Sequence, residues 1–257
     1  MSAGEVRIEA TSRNPLQSPG RPVSCSVVMP VYNEKAALEE FVPKLIGSLE
    51  RCFPSGDWEI IFVDDGSTDR SLHVLKDLGS RGEVSFVSHK DRQGSGRARK
   101  AGCERACGEW IMWIDADGTY DPREITTLWG HRADVDQVIG ARDFEAGSWP
   151  IFRRMVKYLA VRMAQYSSGH AIRDLNSGFR AIRRDRMQAW IEELPRGFSC
   201  TSTATLAALC HGDRLRYVPI CYRARHAGTT SKFHPIVDTL RLFRIILHYH
   251  RVRRSPR

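Results

Sequence analysis

Asp115-Ala116-Asp117 places two carboxylates at i and i+2 where the apolar run 110–114 stops. A strand cannot bury both unpaired, because an isolated buried charge is costly. A hard divalent cation shared with substrate phosphates and water satisfies such a pair. The competing use is an acidic turn capping a helix that begins near Pro122. Asp64-Asp65-Gly66-Ser67-Thr68-Asp69 closes a second apolar run, 58–63. Asp69 or Thr68 suits the cap of the following helix, which leaves Asp64 and Asp65 for bidentate hydrogen bonds to a ribose or a base edge. Pro30-Val31-Tyr32-Asn33-Glu34 closes a third run. Pro30 fixes the backbone there, and Tyr32 offers a flat face and a hydroxyl to a base or ribose. The stretch 90–97 resembles a phosphate loop in composition but lacks Gly-x-Gly-x-x-Gly and Gly-Lys-Ser/Thr. A dinucleotide-binding dehydrogenase and a P-loop NTPase are therefore disfavoured. Cys103 and Cys107 share a helix face without a partner pair, so the cysteines give no metal pattern.

Each acidic cluster needs a strand to deliver it. Apolar runs at 23–31, 58–63, 84–88, 110–114 and 135–139 predict strands. Helical patterns at 36–52, up to about Leu78, at 97–106 and from Pro122 alternate with them. This alternation with short connections predicts an α/β fold, a mostly parallel sheet with helices on both faces. Ligands of such sheets bind beyond the carboxyl ends of the strands, where the acidic and Gly-rich turns fall. After about residue 146 the pattern changes. An amphipathic segment at 151–166 carries Arg153, Arg154, Lys157 and Arg162. Further strands are expected at 175–182 and 215–221, and a last amphipathic helix at 235–250. Residues 1–22 are polar, with Pro15, Pro19, Gly20 and Pro22, and predict a disordered tail. The main domain is expected over 23–233, followed by a basic amphipathic helix and tail over 234–257.

The 257 residues carry 39 Lys+Arg against 30 Asp+Glu, a net charge of +9. Residues 1–145 hold 18 Lys+Arg and 24 Asp+Glu, whereas residues 146–257 hold 21 and 6. That asymmetry predicts a basic surface for an anionic partner. Nucleic acid is disfavoured, because the strand-end acids repel its phosphates unless a metal intervenes. A hydrophobic content of 42% supports a core and excludes global disorder. No apolar run approaches the roughly 18–20 residues of a membrane span, and the first 22 residues lack an apolar signal core. Seven scattered cysteines read as reduced thiols in a cytoplasmic protein.

In this order and spacing, Val28-Met29-Pro30-Val31-Tyr32-Asn33-Glu34, Val63-Asp64-Asp65-Gly66-Ser67-Thr68-Asp69 and Asp115-Ala116-Asp117 resemble a family 2 glycosyltransferase of GT-A fold. Arg173-Asp174-Leu175-Asn176-Ser177-Gly178-Phe179-Arg180 and His226-Ala227-Gly228-Thr229-Thr230-Ser231-Lys232 are similar to the dolichol/polyprenyl-phosphate mannose synthase branch. The resemblance covers about residues 23–247. It implies a GT-A fold, with a mostly parallel nucleotide-binding sheet, helices on both faces and C-terminal amphipathic helices. It further implies that Pro30, Tyr32, Glu34 and Asp64 hold the nucleoside of a nucleotide-sugar, with Asp65 beside them. Asp115 and Asp117 would bind Mg²⁺ or Mn²⁺ on the donor diphosphate, and Lys232 would lie against the donor phosphates. Arg173 and Ser177 would meet an acceptor phosphate, with help from Arg153 or Arg154. Asp117 and Arg173 would then stand nearest the reaction. Mannose synthases often carry Gln two residues after the second metal-binding Asp. Thr119 occupies that position here, which leaves the sugar and the third metal ligand open.

The implied reaction is inverting, a single in-line displacement on a GDP- or UDP-sugar, with the cation acting as a Lewis acid on the leaving diphosphate. A hydroxyl acceptor needs a general base. Relatives with soluble acceptors often carry a Glu-Asp pair at the start of a helix near residue 200, but Gly197-Phe198-Ser199-Cys200-Thr201-Ser202-Thr203 has no acid. A phosphate monoester is already ionised at neutral pH and needs cations instead, which the basic half supplies. Polyprenyl phosphate is the expected acceptor; a soluble natural-product intermediate or saccharide is the alternative. Within 235–250, Ile236, Leu240, Phe243 and Leu247 share a face, and Arg241, Arg244, His248 and Arg251 lie off it. Such a helix suits a membrane interface as well as a packed core. The enzyme is expected at the cytoplasmic face of a membrane as a peripheral protein, alone or with a separate membrane-anchoring subunit. Alanine at Asp115 or Asp117 is expected to abolish activity and spare the fold.

Overall fold

A computed structural model describes residues 23–81, 84–145, 151–197, 199–223 and 235–254. Its first half alternates strand and helix: β1 (Cys25–Val31), α1 (Lys35–Cys52), β2 (Trp58–Asp64), α2 (Ser71–Ser80), β3 (Ser85–Ser88), α3 (Ser95–Arg105), β4 (Trp110–Trp113) and α4 (Ile125–Gly130). The second half adds β5 (Gln137–Glu145), α5 (Ile151–Ser168), β6 (Arg180–Arg183), α6 (Arg184–Gln188), α7 (Cys200–Cys210), β7 (Leu215–Tyr222) and α8 (Pro235–Arg254). The strands form one sheet in the order β3-β2-β1-β4-β6-β5-β7. Strands β3, β2, β1 and β4 run parallel, β6 is antiparallel to both neighbours, and β5 and β7 are parallel to each other.

Strand side chains alternate faces, and that alternation builds two cores. Strand β1 sends Cys25, Val27, Met29 and Val31 to one core and Val28 to the other. Trp58, Ile60 and Phe62 of β2 join the first, and Ile61 and Val63 the second. The first core is closed by α1, α2 and α4 through Leu38, Phe41, Leu45, Leu75 and Leu128. The second is closed by α3, α5, α7 and α8 through Ala98, Ala164, Leu206 and Ile246. Small residues let α3 approach the sheet closely. A Cβ on Gly102 would lie 2.4 Å from Val28 Cγ1, so only glycine fits there.

Several elements differ from the sequence expectation: β5 runs past 139 to Glu145, α6 is not among the expected helices, and three differences bear on the site. Helix α7 matches only the helix start near residue 200 that the resemblance implies; ten of its eleven residues are buried, Thr201, Ser202, Thr203 and Thr205 among them, and burial on every side leaves no amphipathic period. The strand expected at 175–182 forms only over Arg180–Arg183, because Asn176-Ser177-Gly178 turns back on itself. The Asn176 N–H donates to Asp174 Oδ1 at 3.2 Å, and the Phe179 N–H donates to Ser177 Oγ at 3.3 Å. The apolar stripe expected on α8 splits: Phe243 packs against the second core, whereas Leu240 and Leu247 are exposed. Ile246 and Tyr249 carry the buried face instead. The expected tail at 1–22 lies outside the described residues.

Candidate active site

The first strand ends are tied together by backbone and side-chain hydrogen bonds. Asp65 N–H donates to the Val31 carbonyl at 2.8 Å. Asn33, in the left-handed region at φ 55°, accepts from the N–H groups of Thr68 at 2.8 Å and Asp69 at 3.3 Å. The Glu34 N–H donates to Ser71 Oγ at 2.9 Å. Pro30 pairs with Val63 in the sheet, and Glu34 and Asp64 are buried. The structure thus brings Pro30, Tyr32, Glu34, Asp64 and Asp65 to one edge.

Asp64 and Asp65 do different work. Asp64 accepts from Ser67 N–H at 3.3 Å and Ser88 Oγ at 3.2 Å. Both oxygens of Asp65 hold the following loop: Oδ1 accepts from Gln93 N–H at 2.7 Å and lies 3.1 Å from His89 Nδ1, and Oδ2 accepts from Gly94 N–H at 2.8 Å. The loop also returns to β1, with the Arg92 guanidinium 4.6 Å over the Tyr32 ring. Gly66, at φ 71°, permits this closure, since a Cβ there would lie 2.7 Å from Arg92 N. Burial pushes the Asp64 carboxyl above the usual carboxylate range, against hydrogen bonds from Ser67 and Ser88 that lower it. An acid whose folded pKa is raised costs stability where it is ionised, so stability rises as pH falls through the folded value toward the unfolded one. Asp64→Asn is expected to raise the melting temperature at neutral pH and to flatten its change with mild acid. Thermal melts of both proteins across that range check it.

The central strand β4 delivers the carboxylate pair. Asp117 is buried, and its Oδ1 accepts from Thr119 N–H at 3.1 Å and Thr119 Oγ1 at 2.6 Å. The Asp115 side chain is 33% exposed and is bonded to Arg99 on α3. Gly178 lies directly against Asp115, where a Cβ would come within 2.3 Å of Oδ2. This contact joins the 173–179 loop to the acids. The Gly178 N–H donates to Tyr120 Oη at 2.9 Å, and the Tyr120 and Tyr222 rings lie 5.2 Å apart. Burial, and then the charge of Asp117, pushes the Tyr222 phenol up, so the end of β7 lies within the field of the pair. The donor set fits a hard divalent cation: Asp115 and Asp117 would hold it. Among the described residues no cluster of three His, Cys, Asp or Glu stands ready for a metal, so its other ligands would be phosphate oxygens and water.

The expected acceptor residues separate. Arg173 is exposed. Ser177 is fully buried, with its hydroxyl in the Phe179 turn and its carbonyl accepting from Arg180 Nε at 3.1 Å and Nη2 at 2.6 Å. Arg180 also donates to Gln137 Oε1 at 2.9 Å; burial pulls its guanidinium down to about 10, still charged at neutral pH. Asp174 is taken by Arg142, through Nε at 2.6 Å and Nη2 at 2.8 Å. Arg153 and Arg154 lie on α5 with side chains outside the described set, and Lys232 lies outside the described residues. Sequence reasoning gave no role to Arg99, Tyr120 or Tyr222. Arg99 sits with Ala98, Ala101 and Gly102 among the buried residues of α3, and the sequence does not single it out from Arg97 and Lys100 beside it.

Known proteins agree with this architecture. The solved glucosyl-3-phosphoglycerate synthase from Mycobacterium tuberculosis in complex with Mn²⁺, uridine-diphosphate and phosphoglyceric acid matches with a TM-score of 0.64 at 20% identity, over 89% of this chain and 78% of that one. The S. aureus TarS 1–349 structure with UDP-GlcNAc matches with a TM-score of 0.61 at 17% identity, over 88% and 66%. Among curated proteins, the undecaprenyl-phosphate 4-deoxy-4-formamido-L-arabinose transferase of Pectobacterium carotovorum subsp. carotovorum (strain PC1) is 35% identical over 171 residues, 65% of this chain and 50% of that protein. Its counterpart in Enterobacter sp. (strain 638) is 32% identical over 169 residues, with the same coverage. The chain spans about half the length of these relatives. Residues 26–190 match the model of glycosyl transferase family 2, and that match, over more than half of the chain and on a GT-A sheet with its acids at the strand ends, makes this protein a glycosyltransferase of family 2.

Proposed function

We propose that this glycosyltransferase moves a sugar from a GDP- or UDP-sugar to a polyprenyl phosphate, with inversion and with Mg²⁺ or Mn²⁺. The observation that carries the acceptor class is the start of α7. Arg99 Nη1 lies 3.2 Å from Cys200 Sγ, so the start of α7 abuts the same arginine that holds Asp115. No Asp or Glu occurs between Leu194 and Gly212, so α7 brings no general base to this edge. An acceptor hydroxyl would need one; a phosphate oxygen, already ionised, does not. The names of the curated relatives support an undecaprenyl-type acceptor, and the solved neighbours with UDP and Mn²⁺ support the donor class and the cation.

In this reading Pro30, Tyr32, Glu34 and Asp64 bind the nucleoside, while Asp65 shapes the loop beside it. When bound, the cation supplies Lewis-acid charge to the leaving diphosphate. Asp115 and Asp117 hold it, and Lys232 faces the donor phosphates. Arg173, with Arg153 or Arg154, orients the acceptor phosphate for in-line attack. Ser177 contributes through the turn that sets Gly178 against Asp115. The 23–233 segment is the catalytic domain. Helices α5 and α8 rest it on the cytoplasmic face of a membrane, directly or beside an anchoring subunit. Among the described residues, no helix is long and apolar enough to cross one.

The deciding experiment offers labelled nucleotide-sugars with short prenyl phosphates and, separately, with soluble saccharides. Label in the solvent-extracted prenyl product is expected. Label only in water-soluble products would replace this reading with the soluble-acceptor one. In the same assay Arg173→Ala is expected to raise the acceptor KM and Lys232→Ala the donor KM. Each loses one charge-assisted hydrogen bond, worth about 10- to 150-fold. If both variants change only the donor KM, Arg173 does not serve the acceptor.

A further inference from the structure

Arg180 opens β6 with its side chain fully buried, and its neighbours in the sheet are Trp113 on β4 and Ile139 on β5. A charge at that depth is costly, and a fully buried guanidinium is normally paired with an acid. Among the described residues, Arg180 donates to neutral oxygens alone. The Ser177 carbonyl accepts from Nε at 3.1 Å and from Nη2 at 2.6 Å, while Nη1 donates to Gln137 Oε1 at 2.9 Å and to Thr205 Oγ1 at 3.2 Å. One edge of the planar group thus closes on a single carbonyl, and the opposite arm is braced on β5 and α7. Thr205 holds the same turn again, because its hydroxyl is shared between the Leu175 and Thr201 carbonyls, each at 3.1 Å. Asp174 is taken by Arg142, and the Gly178 N–H by Tyr120. Residues 174–178 are therefore gripped from β5, β6 and α7, and Arg173, the residue before them, is exposed.

We propose that Arg180 is the positioning residue of the acceptor side: it fixes the Ser177 carbonyl, so that the 174–178 turn presents Arg173 to the acceptor phosphate while Gly178 stays against Asp115. An apolar side chain of similar volume would avoid the cost of burying a charge. What the guanidinium adds is a rigid fork of charge-assisted donors, which a single carbonyl at a turn can be clamped by. Arg180 is too deep to touch a substrate, so it acts through the turn alone. Without it the turn drifts, and a misplacement of about 1 Å in a positioning group costs on the order of 10²-fold in rate. The inference rests on the phosphate-acceptor reading above.

Transfer to a short prenyl phosphate by the full chain tests it, with nucleoside diphosphate affinity measured separately by calorimetry. Arg180→Met, uncharged and close in size, is expected to lower kcat/KM for the acceptor by about 10- to 100-fold and to leave nucleoside diphosphate affinity near wild type. Thr205→Val frees the Leu175 carbonyl without touching the buried charge, and is expected to lower the same parameter by about fivefold, the scale of one neutral hydrogen bond. It carries the test if Arg180→Met does not fold. Amide hydrogen exchange is the second readout: the 174–179 segment is expected to exchange about tenfold faster in Arg180→Met, while β1 and β4 keep their protection. Wild-type kcat/KM for the acceptor in both variants, unchanged exchange over 174–179, or an equal loss of nucleoside diphosphate affinity would overturn the inference and leave the phosphate-acceptor reading standing. If wild type itself labels no prenyl phosphate, that reading falls and the inference with it.

Discussion

Asp117→Ala is expected to lower sugar transfer by about 10²–10³-fold, the scale of losing one electrostatic support for a leaving group. Its melting temperature should fall only modestly. The carboxylate sits at a strand end, and its removal strands the N–H and hydroxyl of Thr119. Losing such hydrogen bonds costs about 1–3 kcal/mol, a few degrees in a domain of this size. Asp115→Ala behaves differently. It is also expected to end catalysis, but it leaves the buried Arg99 without its carboxylate, and breaking a buried pair from one side costs about 3–5 kcal/mol. Because a third of Asp115 is exposed, solvent reduces that cost. Asp117→Ala is therefore expected to spare the fold, and Asp115→Ala to cost more stability. Calorimetry and a transfer assay with Mn²⁺ titration measure both. Full turnover of Asp117→Ala, or of wild type in excess chelator, would sink the role given to the pair.

The strand ends were legible because each is an apolar run stopped by Asp, Asn or Gly, a change of polarity that no packing arrangement hides. The residues that tune those ends were not. Arg99 lies in a helix rich in charge, with Arg97, Lys100, Glu104 and Arg105 around it, and only the packing of α3 on the sheet shows which cation turns inward. Helix α7 shows no period of its own, because burial on every side erases the pattern that marks a helix, and only the resemblance pointed to a helix start there. Ser177 read as an acceptor contact from its motif, yet the same motif builds a turn whose hydroxyl faces inward. The basic surplus after residue 146 was legible as a sum but not as a surface. Arg180 is fully buried, and Arg183, Arg186 and Arg214 pair with Asp185, Asp213 and Asp136. Counting charges sees neither burial nor a partner from the other half of the chain.

Reversing charge on α8 is expected to release the enzyme from anionic vesicles. Helices α5 and α8 pack against each other, and both leave large apolar side chains in solvent: Tyr158 at 68%, Tyr166 at 74%, Leu240 at 55% and Leu247 at 48% exposure, with Met155 and Leu159 beside them. Single exposed apolar residues need no explanation, but a group of them on two adjoining helices does. Arg162, Arg241, Arg244 and Arg251 are exposed on the same two helices. Apolar and basic groups together suit the boundary between lipid headgroups and acyl chains. Each basic residue near an anionic leaflet adds about 1 kcal/mol, so Arg241→Glu/Arg244→Glu, a change of four charges, should weaken binding by about 4 kcal/mol, roughly 10³-fold. Salt should weaken wild-type binding in the same direction, since the attraction is screened beyond about 8–10 Å. Packing on the core alone predicts otherwise, with Leu247 buried and the charge reversal silent; Leu247 is exposed, and Phe243 alone of that pair packs inward. Co-sedimentation of wild type and the double variant with phosphatidylserine vesicles, with and without polyprenyl phosphate, decides the matter. Equal sedimentation of the two proteins, or none for wild type with the lipid phosphate present, would remove the membrane-facing role of α5 and α8 and shift the acceptor toward a soluble molecule.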